Sequence, residues 1–179
     1  MTKPWMPWIV ATLAACSSGG ATKPPPDPSA VLTPTPPAAP AAPSALSKDD
    51  AILETVLVHE IDAASPKPDE PLCLYVRNDA GKTIDPSAEL IAAIQKRYPN
   101  AGPRSRCNGG GPEAVTVKAD GKGAMGFDVG PVKWEGAAAL VEGGGGSRGG
   151  VRTIREVEYR VEAAGTGWKV ASERVVRQM

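Results

Sequence analysis

The chain has one histidine, one phenylalanine and three cysteines in 179 residues, and 20 acidic residues cancel 20 basic ones. Each scarcity removes a class of function. His59 stands next to Glu60, but a zinc protease of the His-Glu-x-x-His type needs a second histidine, and position 63 is Ala63. Neither Ser105 nor Ser147 has a credible base, because His59 is far off in sequence and no nucleophile elbow surrounds either serine. With no basic excess, and with aromatics at 4%, there is neither an electrostatic stripe nor a stacking platform for nucleic acid. The acidic residues show no pairing that would support glycoside hydrolysis or a calcium loop. No catalytic residue, cofactor or metal ligand is therefore expected, and the chain reads as a non-enzyme that binds no nucleic acid.

The apolar run from Trp5 to Leu13 is also short. It follows Lys3, falls below the ~20 residues of a membrane span, and ends in Leu13-Ala14-Ala15-Cys16. A basic start, an apolar middle and small residues before a cut site describe a secretory signal. The Leu-Ala-Ala-Cys ending resembles the lipobox of bacterial lipoproteins, whose cysteine is lipidated and then becomes the first residue. The resemblance implies a signal peptide over residues 1–15, lipidation (palmitate among the acyl chains) at Cys16, and a membrane held through the lipid anchor. Ser17 in place of Asp resembles an outer-membrane address, which places the protein in the cell envelope or periplasm without fixing the face of the membrane. With Cys16 taken by lipid, Cys73 and Cys107 remain, and in an exported protein an even pair predicts a disulfide.

Residues 16–47 form a tether. From Ser17 to Ser47 there are nine prolines and seven alanines, and Lys23 and Asp27 are the only charges. Such a composition cannot bury enough apolar surface to offset ordering, and at roughly 3.1 Å per residue it would reach up to ~90 Å. A spacer is the reading, in preference to a proline-rich ligand for a recognition module.

Residues 48–179 read as one α+β domain. Ser47 caps a helix whose apolar stripe is Ile52, Leu53, Val56, Leu57 and Ile61, stopped by Ser65-Pro66. Leu72–Val76 is a strand. A second helix opens with Asp85 as cap and Pro86 at the first helical position, with Leu90, Ile91, Ile94 and Tyr98 inward, and residues 100–112 look irregular. Strands follow around Val115 and Phe127. A Gly130-Pro131 break shifts the phase before Trp134, and residues 137–142 make a weak strand. Residues 143–150, nearly all glycine, read as a mobile loop. The best alternation runs through Val157, Tyr159 and Val161, turns at Gly165-Thr166-Gly167 and returns through Trp168 and Val170, with one face wet. Gly121-Lys122-Gly123-Ala124-Met125-Gly126 matches a dinucleotide pattern in letters only. A strand follows it instead of the helix that the pyrophosphate requires.

The order of elements resembles the cystatin and NTF2-like class. That implies two helices packed on one face of a curved antiparallel sheet of about five to six strands. Cys73-Leu74-Tyr75-Val76, Asp85-Pro86-Ser87 and Ser105-Arg106-Cys107 are similar to motifs of small exported bacterial domains, motifs that are structural and carry no chemistry. The reading that follows is an envelope lipoprotein presenting a binding domain to an envelope protein or cell-wall partner. The alternative is a carrier or sensor with a ligand cavity between sheet and helices.

Overall fold

The computed structural model describes residues 45–110, 113–147 and 155–178. The expected signal peptide, the expected lipidation site Cys16 and nearly all of the expected tether lie outside the described residues. So do residues 148–150 of the glycine run.

Helix α1 spans Lys48–Ala64. Ser47 caps it as the sequence predicts, its hydroxyl accepting from the Asp50 N–H at 3.0 Å, with Asp49 and Asp50 in the first turn where the helix dipole favours them. It ends at Ser65, whose left-handed φ of 49° turns its N–H back onto the carbonyls of Ile61 and Asp62. Pro66 forbids continuation.

Strand β1, Leu72–Arg77, leads through a turn into β2, Thr83–Ile84. Helix α2 covers Ala88–Gln95, and its cap is Ser87, not Asp85. The Ser87 hydroxyl accepts from the Leu90 N–H at 3.1 Å and donates to the Asp50 carboxylate of α1 at 2.9 Å, so it caps α2 and ties the two helix starts together. Asp85 accepts from the Ser105 N–H instead, at 2.7 Å. Tyr98 lies past the end of the helix.

The stretch read as irregular contains β3, Ala101–Pro103, a 3-10 turn at Arg104–Arg106, and β4, Cys107–Gly110. Strands β5 (Glu113–Val117), β6 (Met125–Val129) and β7 (Lys133–Glu135) follow. The GxGxxG letters run into β6, a strand, as the alternation predicted. Strand β8, Ala138–Ser147, absorbs the glycines expected to form a loop. Strands β9 (Arg155–Ala164) and β10 (Gly167–Gln178) form the long closing hairpin.

The fold is α+β, with more strands than expected. An eight-stranded sheet runs β10-β9-β8-β6-β1-β2, with β3 also on β1 and β7 also on β8, while β4 and β5 pair separately. It is mostly antiparallel, but β1 is parallel to both β3 and β6. The Gly130-Pro131 break lets β6 and β7 lie along successive halves of β8. Register places Leu72, Leu74, Phe127, Val129, Val141, Tyr159 and Val161 on one face, against Ile52, Val56, Leu57 and Ile61 of α1. Helix α2 packs chiefly on α1 and β3. Each large aliphatic side chain buried there stabilises by about 1.5–3 kcal/mol.

The other face of β1 is not wet. Cys73 and Tyr75 point into a second small core with Cys107, Val115, Val117 and Ala124, brought there by the β4–β5 pair. That is why Leu72–Tyr75 reads as an unbroken apolar run rather than an alternation. On β9 and β10 the outer face carries the charges, with Arg174 2.7 Å from Glu158 and Arg160 3.0 Å from Glu162.

Candidate functional site

The sulfurs of Cys73 and Cys107 stand at disulfide distance, 1.93 Å, with Cα atoms 6.4 Å apart. Cys73 is fully buried and Cys107 nearly so. The pair joins β1 to β4 and so holds the second core over the sheet.

Glu60 is the residue that pattern reading passed over. Among the described residues it is the one buried charged or polar side chain, at 7% exposure. The helical period puts it there, since Val56, Leu57, Glu60 and Ile61 belong to one stripe. Its carboxyl lies against β8: a Cβ at Gly143 would stand 2.6 Å from Oε1, and one at Gly145 would stand 3.1 Å from Oε2 and 2.6 Å from Phe127. Glycine at these positions makes room for the acid and for the Phe127 ring. Neither carboxyl oxygen has a hydrogen bond of standard geometry among the described residues. Burial pushes its pKa from 4.5 to about 8, against a smaller lowering pull from the Tyr159 hydroxyl that faces it. Burial, and then the nearby Glu60, raise the Tyr159 phenol in turn.

At the surface beside this pair, His59 Nε2 lies 3.3 Å from Glu173, whose other oxygen accepts from Arg155 at 2.9 Å. His59, followed by Arg155, holds the Glu173 carboxyl below its usual range. The His59 ring meets Tyr159 edge-on at 5.6 Å. His59 is half-buried, with 41% of its side chain exposed beside this ion pair.

A groove of about 480 Å³ opens beyond the end of α1, with Ile61, Leu72 and Tyr98 among its lining and Pro66, Pro68 and Pro99 along its walls. Asp62 on its rim takes Arg97 at 2.7 and 2.8 Å and accepts from the Tyr98 hydroxyl. Burial and Asp62 push the Tyr98 phenol up to about 12. These rim groups satisfy one another, while Lys67 and Glu70 add further charge to the lining.

Among the described residues no three acidic, histidine or cysteine side chains gather as a metal site, and no helix is long and apolar enough to cross a membrane. Compared with protein-family models, curated proteins and solved structures, the chain matches none.

Proposed function

We propose that the chain is an exported envelope lipoprotein, anchored at Cys16 on the outer membrane, whose domain over residues 48–179 is a non-enzymatic binding module. One observation carries the reading: of three cysteines, two meet inside the domain, and the third ends a Leu-Ala-Ala-Cys motif ahead of a proline-rich run. The long helix against the sheet and the closing β9–β10 hairpin support a cystatin or NTF2-like kinship. The partner is an envelope protein or the cell wall. Crosslinking in the native envelope tests this. The reading expects a recurrent protein or peptidoglycan adduct on residues 48–179, and adducts confined to the tether would overturn it.

The groove at Ile61, Leu72 and Tyr98 favours a second reading, a carrier or sensor of a small ligand. Its volume lies within the ~300–1,000 Å³ of ligand pockets. Native mass spectrometry of the purified protein decides: a small molecule retained by the wild type and lost on Leu72→Trp supports it, and an unliganded mass refutes it.

A further inference from the structure

The described domain contains two tryptophans, and both stand at one end of it. Trp134 of β7 and Trp168 of β10 meet edge to face with ring centroids 5.7 Å apart. Register explains the meeting. Trp134 pairs with Ala139, Ala139 with Val161, and Trp168 with Ala163, so both rings lie on the α1 side of the sheet. The β7–β8 and β9–β10 turns close the same end. Lys48, the first residue of α1, places its ammonium 3.7 Å from the Trp134 ring centroid and 5.5 Å from that of Trp168. The Trp134 indole N–H donates to Asp49 at 3.1 Å. Trp168 packs on the core, but Trp134 remains 38% exposed and Lys48 is exposed with no carboxylate partner among the described residues.

We propose that this end of the domain, Trp134, Trp168 and Lys48, docks on a lipid surface. The inference rests on the lipid-anchor reading above. Continuity of the chain supports it: Ala45 is only three residues from Lys48, so the segment leading back to Cys16 enters the domain at this end. The chemistry fits as well. The apolar body of an indole favours the headgroup level, the Trp134 N–H keeps its Asp49 partner there, and the exposed Lys48 beside the rings reaches lipid phosphate. A glycan stacked on Trp134 is disfavoured on the ring face that Lys48 already covers. The patch is small, but a tether of this kind holds an attached domain at an effective concentration of order mM. Contacts too weak to hold a free protein therefore suffice for docking.

In the lipoprotein reading Trp5 and Trp8 leave with the leader, so Trp134 and Trp168 are the whole indole signal of the mature chain. The test places the mature protein in vesicles of phosphatidylethanolamine and phosphatidylglycerol, with and without brominated acyl chains. The proposal expects bromine to quench indole emission, with a blue shift, and Lys48→Glu to abolish most of both without loss of fold. Protein that floats with the vesicles while its emission is unchanged overturns the docking and leaves the anchor intact. Protein that neither floats nor is quenched overturns both. Emission that responds to soluble peptidoglycan fragments but not to bromine overturns the lipid assignment in favour of a cell-wall partner.

Discussion

Glu60 on α1 and Gly143 on β8 occupy one space: a Cβ on Gly143 would stand 2.6 Å from the Glu60 carboxyl and 3.1 Å from the Tyr159 ring. The glycine run and the buried acid are therefore two halves of one packing solution. Gly143→Ala should cost about 1–3 kcal/mol, the usual range for overpacking a closed core. Denaturant melts should show the loss, and combining it with Glu60→Ala should cost less than the sum of the two single changes. Strict additivity would mean that the two residues do not share the site.

Glu60 also sets a pH dependence. Its folded pKa of about 8 lies above its ordinary 4.5, so the folded state binds the proton more tightly than the unfolded chain. Stability from this group is complete below the ordinary value and falls as pH rises through about 8, by up to ~1.4 kcal/mol per pH unit. The facing groups do not reverse the sign: Asp128 adds to the rise, while Tyr159, Arg155 and Arg77 oppose it less strongly than burial drives it. Glu60→Gln keeps the shape without the charge. Its melting temperature should vary less between about pH 5 and pH 8 than that of the wild type, and exceed it at the upper end. Equal slopes in the two proteins would contradict the assignment.

These two residues show what could be read in the sequence and what could not. The period of α1, its Ser47 cap and the alternation of β9 are local signals, and the structure keeps all of them. Glu60 falls in the phase of the apolar stripe in the sequence too, but period alone does not distinguish a buried carboxyl from a charge at the edge of the stripe. The glycines of residues 143–146 carry no side-chain pattern, and pairing with β6, and of Gly143 with Val157 of β9, makes this segment a strand. The α2 cap moved from Asp85 to Ser87 for a similar reason. Asp85 found the Ser105 N–H and Ser87 found Asp50, and both partners are distant in the chain. The second core has no local signal, because Cys107 and Val117 meet only once β4 and β5 have paired.

Linking Cys73 to Cys107, 34 residues apart, should remove denatured-state entropy worth roughly 3–4 kcal/mol in the chain-entropy model. Reduction, or Cys73→Ala with Cys107→Ala, should lower the melting temperature and loosen β4–β5 first. Hydrogen exchange at Val115 and Val117 checks the order of events. An unchanged melting temperature would mean that the second core holds without the link.

The account depends most on Cys16. Intact-mass and N-terminal peptide spectrometry of the protein extracted from its native membrane tests it directly. The account predicts a mature chain that starts at Cys16 and carries a diacylglyceryl group on sulfur and an acyl chain on the new amine, with membrane attachment lost in Cys16→Ala. A chain that retains residues 1–15, or one that is cut there and carries no lipid, would contradict it.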